Sequence, residues 1–379
     1  MTSKCIEWLK KDNSPSPKIV VDLTQIKNNF LRFKKLFPDI KPYYAVKANP
    51  HKKVISVLNK LNCYFDCASI AEIKNCISKN VAPEKISFGN TIKKEVDILI
   101  ANGLGIKMFA FDSLIELKKI AKKAKGSKVF CRIQVPNGGA QWPLSKKFGC
   151  SPNEAVKLLN KASELNLIPL GISFHVGSQQ ISYSTWNEAI KIASKIYKKM
   201  SKNKIYLDFL NMGGGIPATY SNYQEKDMKA YSENILNSLN KYFGNFKPST
   251  IIMEPGRYFV ADAGVIETEI ILISRRNNRD KIKWIYLDVG RYNGLAETEA
   301  EAIKYPIEAR VHKKDKKEKY VLAGPSCDSH DVIYEKHLCL LPKSLKVGDK
   351  LWIFSSGAYT TVYASKFNGI KNMREFYIN

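Results

Sequence analysis

Short apolar segments alternate with amphipathic ones between residues 40 and 260, and this alternation predicts the fold of that region. Eight segments are typical of strands buried on both faces: 43–48, 64–69, 86–90, 108–112, 129–135, 171–177, 205–212 and 251–254. Between them, apolar residues recur three and four positions apart, as in Ala155, Leu158, Leu159 and Ala162. Strands separated by single helices pair in parallel, so eight such units predict a (β/α)8 barrel.

The pattern changes after about residue 262, where strand-like segments follow one another without helical segments between them. These segments are 265–270, 284–288, 319–322, 350–354 and 374–378. A similar segment, 18–22, precedes the barrel. We therefore predict a barrel domain over residues 24–262, and a β-sandwich or β-barrel-like domain formed by residues 1–23 and 263–379.

The net charge of +26, from 61 basic and 35 acidic residues, raises the question of nucleic-acid binding. The lysines are spread over almost every helical segment instead of forming a stripe, and no nucleic-acid recognition motif accompanies them. A genome composition that favours lysine explains the charge as well. We expect no nucleic-acid partner.

The eight cysteines form no CxxC pair and no His/Cys zinc spacing, so we expect free thiols and no metal site. No run of 18 apolar residues occurs, which argues against a membrane span. The first residues lack the apolar core of a signal peptide. We expect a protein of the reducing cytoplasm.

Lys47 stands at the end of the first predicted strand, within an aromatic and β-branched segment. Burying an ammonium group is costly, so a lysine in such a segment needs a reason. One reason is a Schiff base with an aldehyde cofactor. The alternative is a lysine that extends from the strand end into solvent. This segment alone does not decide between them.

Other predicted strand ends also carry chemistry, and barrel enzymes place their active residues there. Asp66 lies in the second strand, Arg132 in the fifth, His175 in the sixth, and Glu254 in the eighth. A glycine run, 213–215, follows the seventh strand; its N–H groups can approach a phosphate. Each feature alone has a structural explanation, such as a turn or an ion pair. Their convergence on one barrel mouth favours a cofactor site.

The ordered motifs PYYAVKAN, FDCAS, FHVGSQ, GGG, EPGR, GPSCDSHD and SGAYT resemble those of the fold-type-III pyridoxal-phosphate decarboxylases, over about residues 18 to 370. Within that family the chain is most similar to the ornithine decarboxylase group, including its bacterial lysine/ornithine members. The resemblance implies an alanine racemase-like TIM barrel with a C-terminal β-rich domain, and pyridoxal 5'-phosphate as cofactor. It implies Lys47 as the Schiff-base lysine, His175 stacked on the cofactor ring and Glu254 on the pyridine nitrogen. The remaining implied cofactor contacts are Gly214, Gly215, Arg257 and Tyr359 around the phosphate, and Asp66, Arg132 and Ser178 nearby.

The motif at 327–331 enters the neighbouring subunit's active site in that family, so the resemblance implies an obligate homodimer with shared sites. Cys327 would protonate the α-carbon after CO2 leaves, and Asp328 would hold the distal amine of the substrate. Lys147 would pair with Asp331 of the partner subunit. A buried structural thiol is the alternative for Cys327.

The substrate implied by the resemblance is a basic L-amino acid. Diaminopimelate decarboxylases carry Cys-Glu in this motif, whereas Cys327-Asp328 suits a simple side-chain amine. Spacing from Tyr292 indicates Glu301 as the partner of the distal ammonium, with Glu297 as a competitor. L-Ornithine, which gives putrescine in polyamine biosynthesis, is the first expectation. L-Lysine, which gives cadaverine, is the second, since one methylene is worth only ~1–3 kcal/mol in a pocket.

Other functions remain as alternatives. The chain could be an arginine or diaminopimelate decarboxylase, a racemase, or a catalytically inactive regulatory paralogue. Such paralogues lose cofactor ligands, whereas Lys47, Glu254, Arg257 and Cys327 are all present.

Overall fold

The computed structural model describes residues 3–142, 147–221 and 228–379. The strands are β1 Lys18–Asp22, β2 Ile40–Ala45, β3 Tyr64–Cys67, β4 Ile86–Phe88, β5 Met108–Phe111, β6 Lys128–Arg132, β7 Ala140–Trp142, β8 Ile168–Ser173, β9 Ser178–Gln180, β10 Phe209–Asn211, β11 Thr250–Met253, β12 Gly264–Ser274, β13 Lys283–Leu287, β14 Ile307–Ala309, β15 Lys317–Ala323, β16 Val332–Pro342, β17 Lys350–Phe354 and β18 Arg374–Ile378. The α-helices are α1 Ser3–Lys11, α2 Leu23–Leu36, α3 Lys52–Lys60, α4 Ile70–Ile77, α5 Glu95–Gly103, α6 Leu114–Lys123, α7 Pro152–Glu164, α8 Thr185–Lys202, α9 Met228–Phe243 and α10 Gly256–Val260.

Eight parallel strands close into a barrel in the order β2-β3-β4-β5-β6-β8-β10-β11, with β11 pairing back to β2. Its interior is filled by a cluster of side chains from five strands: Tyr43, Ala110, Phe130, Phe209 and Ile252. The barrel is therefore a packed core, and its chemistry lies at the strand ends. The predicted (β/α)8 architecture is confirmed.

The predicted strands extend too far toward their carboxyl ends. The predicted segments 43–48 and 171–177 run three and four residues past the observed ends of β2 and β8. Lys47 is consequently not a strand residue; it lies in the 3-10 turn Val46–Ala48. These apolar segments leave the ladder before they end, because the residues after each strand turn over the barrel mouth.

Three barrel helices begin with the same sequence signature, a serine followed three residues later by a glutamate. Ser69, Ser113 and Ser151 each accept a hydrogen bond from the backbone N–H of that glutamate. This N-cap satisfies a donor that the first helical turn leaves unpaired. The serines therefore fix where α4, α6 and α7 start, and with them the lengths of the preceding loops.

Eight of the remaining strands form one sheet, in which β14-β17-β12-β13-β15-β16 is the main path, and β7 and β9 pair separately. The early strand β1 joins the eight-stranded sheet by antiparallel pairing with β12, and β18 lies parallel to β1. The predicted C-terminal β-rich module is confirmed, including the contribution of residues 18–22. Two of its strands, β14 and β16, were not predicted.

The described residues group into two compact units. Residues 29–142, 147–217 and 228–256 form the barrel unit, and residues 3–28, 218–221 and 257–379 form the β unit. The domain boundaries predicted from the sequence stay a prediction. Among the described residues, no helix combines the length and the apolar character that crossing a membrane requires.

Candidate active site

A cavity of about 220 Å³ in the barrel unit brings together five residues that the sequence singled out. Lys47, Asp66, Arg132, His175 and Glu254 all line it. They come from the ends of five different strands, so the barrel closure alone places them around one space. Aromatic rings complete the wall, and the Arg132 guanidinium lies 5.1 Å from the ring centroid of one of them, Phe148.

Asp66 is buried at the end of β3, and its Oδ1 accepts a hydrogen bond of 2.8 Å from the Ser87 hydroxyl. Burial, assisted by the nearby Glu254 carboxylate, raises the pKa of Asp66 to about 8. Gly89 leaves the room that this carboxyl needs, since a Cβ there would lie 2.0 Å from Oδ1. Asp66 therefore holds its proton at neutral pH.

His175 follows β8, and its Nδ1 accepts a hydrogen bond of 2.9 Å from the Gly177 N–H. The ring proton must then sit on Nε2. Burial, with Arg132 and Lys47 adding like charge, holds the pKa of His175 well below its usual range. The site therefore presents a neutral, flat imidazole with a fixed tautomer.

The glycine run after β10 passes close to neighbouring backbone. A Cβ on Gly213 would lie 2.2 Å from the Phe174 carbonyl oxygen, and Gly213 has a φ of +66°. A Cβ on Gly214 would lie 2.9 Å from both the Glu254 carbonyl oxygen and His175 Nε2. Within the described part of the chain, the N–H groups of Gly214 and Gly215 have no hydrogen-bond partner, although Gly214 is buried. Two unpaired N–H groups in such a turn suit an anion.

Glu254 has a partner that sequence reasoning missed. The Asn211 amide at the end of β10 is fully buried and donates a hydrogen bond of 2.6 Å to Glu254 Oε1. The signal was available: Asn211 is a polar residue at a predicted strand end, two positions before the glycine run.

In the β unit, Arg257 forms an ion pair with Glu297. Its two terminal nitrogens bind the two oxygens of Glu297 at 2.8 and 2.5 Å, and both side chains are buried. Its guanidinium also lies 4.8 Å from the ring centroid of Tyr359, a residue with a φ of +57°. Glu297 thus pairs with Arg257, and its expected role in binding the substrate stays a prediction.

Glu301 has a structural role in the same unit. Its carboxylate accepts hydrogen bonds of 2.7 to 2.9 Å from three consecutive backbone N–H groups, those of residues 335–337 in β16. The oxygen atoms that were expected to bind the distal ammonium are used to hold this strand. The expected contact of Glu301 with the substrate stays a prediction, and spacing from Tyr292 does not reveal where the side chain turns.

The motif at 327–331 is divided between surface and interior. Cys327 is exposed, and Asp328 accepts hydrogen bonds from the Tyr292 hydroxyl at 3.0 Å and the His330 N–H at 2.8 Å. Asp331 is instead buried and accepts N–H groups of Arg291 and Ser326. The pairing of Asp331 with an exposed Lys147 of a second copy stays a prediction.

Ser178 lies in the short strand β9, which pairs with β7, the segment that contains Trp142. Neither strand was predicted from the sequence. The role that the resemblance gives to Ser178, a contact on the phosphate side, stays a prediction.

Known proteins of similar sequence and structure include amino-acid decarboxylases. Residues 23–261 match the family described as pyridoxal-dependent decarboxylase, pyridoxal binding domain. A lysine/ornithine decarboxylase of Selenomonas ruminantium is 32% identical over 97% of this chain and 91% of its own. The antizyme inhibitor 2 of Xenopus laevis is 33% identical over 93% of this chain and 78% of its own. The crystal structure of an arginine decarboxylase of Paramecium bursaria Chlorella virus bound to agmatine superimposes with a TM-score of 0.91, at 30% identity and full coverage of both chains.

Proposed function

Because this chain belongs to the family of pyridoxal-dependent decarboxylases, we propose that it decarboxylates a basic L-amino acid, with L-ornithine as first substrate and L-lysine as second. The observation that carries the proposal is the barrel cavity, where Lys47, Glu254 and His175 face one space. The products from ornithine are putrescine and CO2, which places the reaction in polyamine biosynthesis. The free thiols of all eight cysteines agree with a reducing cytoplasm.

The cavity fits pyridoxal 5'-phosphate, the cofactor of the family. The N–H groups of Gly214 and Gly215, which have no partner among the described residues, provide an anion cradle that an added Cβ would fill. Glu254 offers a carboxylate to a ring nitrogen, and Lys47 offers an amine to the aldehyde. When bound, the cofactor accepts the electron pair that remains after CO2 leaves. Further phosphate contacts by Arg257 and Tyr359 stay part of the proposal.

The residues of the barrel divide the remaining work. His175, neutral and fixed by Gly177, supports one face of a flat ring without adding charge. Asp66, which keeps its proton, adds no second negative charge beside Glu254. Arg132 keeps a positive charge in the cavity, where an α-carboxylate can be oriented before it leaves.

Asp328 is the carboxylate that we propose for the distal ammonium of the substrate. Glu297 and Glu301 are committed to Arg257 and to backbone N–H groups, whereas Asp328 is held by a tyrosine hydroxyl and one N–H. Cys327 next to it is exposed, so its thiol can serve a surface beyond its own chain. We propose that both residues act in the active site of a second copy, in a homodimer, where Cys327 protonates the α-carbon.

A regulatory paralogue without activity is the candidate from another class, since an antizyme inhibitor is among the relatives. The observation against it is that the lysine, the glutamate and the glycine cradle are all retained around an open cavity. Burying the ionisable groups of Asp66 and His175 costs free energy, and a ligand site in the cavity accounts for that cost.

The test is CO2 release by the cofactor-loaded protein from L-ornithine, L-lysine, L-arginine and meso-diaminopimelate in parallel. We expect turnover of ornithine, with or without lysine, and none by Lys47→Ala. Turnover of arginine or diaminopimelate alone would refute the proposed substrate but keep the reaction class. No turnover of any of them would favour the regulatory paralogue.

A separate variant tests the proposed contact between Asp328 and the distal ammonium group of the substrate. Asp328→Asn should raise KM for ornithine by roughly 10- to 100-fold, because a hydrogen bond to a charged group is worth about 1.5–3 kcal/mol. Ser329→Ala, at an exposed neighbouring position, is the matched control and should leave KM unchanged. An unchanged KM in Asp328→Asn would remove this residue from the substrate site.

A further inference from the structure

Among the described residues, a single side chain donates a hydrogen bond to the Glu254 carboxylate. Its Oε1 accepts a hydrogen bond from Asn211 Nδ2 at 2.6 Å, and its Oε2 has no partner among the described residues. Asn211 is fully buried. Glu254 is half-buried, and a carboxylate with one paired and one open oxygen has a defined direction in which it can accept a further hydrogen bond.

The other end of the same amide is also used. Asn211 Oδ1 accepts a hydrogen bond of 2.8 Å from the Gly213 N–H, at the start of the glycine run. A flipped amide would point its NH2 group at that N–H and its oxygen at the carboxylate, so both contacts would become repulsive. The two contacts therefore fix the orientation of the amide. Glu254 N–H also donates to the Gly213 carbonyl oxygen at 2.8 Å, which ties the same two segments together.

We propose that Asn211 is a positioning residue for the cofactor: its NH2 group fixes the direction of the Glu254 carboxyl group and leaves the second oxygen free, and its carbonyl oxygen holds the glycine cradle. This inference rests on the proposed function. One amide thereby sets the distance between the group that meets the ring nitrogen and the N–H groups that meet the phosphate.

A hydrogen-bond donor favours the charged form of the group that it binds. Glu254 lines the cavity together with Asp66, which keeps its proton in part because of the Glu254 charge. A carboxylate at position 211 would replace the donor that now faces Glu254 with a second acceptor. Two carboxylates at 2.6 Å cannot both be charged and must share a proton.

The informative variant is Asn211→Asp, which keeps the acceptor for Gly213 and removes only the donor to Glu254. We expect pyridoxal phosphate to bind the cofactor-free protein at least about tenfold more weakly at pH 7.5, as a hydrogen bond to a charged group is worth this much. The loss of cofactor affinity should change with pH. The carboxyl groups at positions 211 and 254 repel each other when both are ionised, and they share a hydrogen bond when one of them is protonated. Cofactor affinity is measured by fluorescence titration, and the stability of the cofactor-free protein by urea unfolding, each at pH 5.5 and 7.5.

Two further variants separate positioning from folding. In Asn211→Asp/Glu254→Gln the donor and acceptor are exchanged, so stability and its pH dependence should return while cofactor affinity should not. Asn293→Asp is the matched control in the β unit, since that buried amide also bridges a backbone N–H at 2.6 Å and an acceptor at 3.0 Å. It should lose stability without a pH-dependent loss of cofactor affinity.

Wild-type pH dependence of both affinity and stability in Asn211→Asp would overturn the proposal, and so would equal losses of cofactor affinity in the Asn211 and Asn293 variants. If Asn211→Asp does not fold, Asn211→Ala is compared with Asn293→Ala at equal stability, and equal cofactor affinity would again overturn it. The proposed function fails separately, if the wild-type protein binds the cofactor but turns over no amino acid.

Discussion

At the residue scale, the protonation states in the cavity are set by burial and by single hydrogen bonds. Asp66 keeps a proton because it is buried beside Glu254, and His175 loses one because it is buried beside cations. Sequence reasoning identified both residues by their place at strand ends. It did not give their charge, which depends on neighbours that are distant along the chain.

Asp66 makes the stability of the cofactor-free protein depend on pH. Its pKa is about 8 in the folded chain against 3.8 for an ordinary aspartate, so between these values the folded state binds more protons than the unfolded one. Stability contributed by this group is therefore lost as pH rises from about 4 to 8, by at most about 1.4 kcal/mol per pH unit. Asp66→Asn removes this term, so the variant should gain stability relative to the wild type between pH 5.5 and 7.5.

The measurement is urea unfolding of the cofactor-free proteins at the two pH values. Asp39→Asn, at an exposed position on the barrel unit, is the control and should keep the wild-type pH dependence. If Asp66→Asn keeps that dependence too, Asp66 does not carry a raised pKa.

At the scale of elements, the glycine run determines how closely the segments after β8, β10 and β11 approach. Gly214→Ala should weaken pyridoxal phosphate binding by about tenfold or more and destabilise the fold by ~1–3 kcal/mol, because its Cβ meets a backbone oxygen that cannot move aside. Cofactor titration and thermal unfolding measure the two effects.

Gly103→Ala is the control for that substitution. Beyond its chain neighbours and its own helix backbone, no atom of the described residues lies within 4 Å of a Cβ at this position, so the variant should bind cofactor normally and be equally or slightly more stable. Equal behaviour of both alanine variants would show that the glycine run does not need its close approach.

A buried ion pair connects three elements of the barrel wall. Lys93 Nζ lies 2.9 Å from a Glu116 oxygen in α6 and donates to the Ala110 carbonyl oxygen in β5 at 2.6 Å. It also donates to the carbonyl oxygen of Asn90, which lines the cavity. Burial lowers the pKa of Lys93 to about 8 despite the carboxylate. The ion pair between Lys93 and Glu116 therefore stabilises the segment at Asn90 that lines the cavity.

Removing the carboxylate should leave the ammonium uncompensated. Glu116→Gln is expected to lower the free energy of unfolding at pH 7 by about 3 kcal/mol, as for other broken buried pairs. Part of the loss should be recovered above pH 8, because the neutral amine costs less to bury and the unfolded chain then binds more protons. Glu95→Gln, in an exposed pair with Lys122 and Lys123, should change nothing in the same urea titration.

At the scale of the whole molecule, the proposed function includes active sites that two copies of the chain share. Cys327 and Asp328 lie in the β unit, whereas Lys47 and Glu254 lie in the barrel unit. A mixture of Lys47→Ala and Cys327→Ala, each inactive alone, should recover about a quarter of wild-type activity after subunit exchange, since half of the random dimers contain one intact site.

The control mixture pairs Lys47→Ala with the Lys47→Ala/Cys327→Ala double variant, in which no dimer has an intact site. It should stay inactive. Recovery in neither mixture, with exchange shown by tagged subunits, would mean that Cys327 and Lys47 act in the same chain or in no common site.

The sequence determined the eight barrel strands, the β-rich module, the family and the five cavity residues, because alternating apolar segments and strand-end motifs are local signals. Only the tertiary structure decided the partners of those residues. It assigned Glu301 to backbone N–H groups and Glu297 to Arg257, and it brought Asn211 to Glu254 across 43 positions of sequence. Which oxygen meets which donor depends on how the side chains of distant segments pack, and spacing along the chain does not encode it.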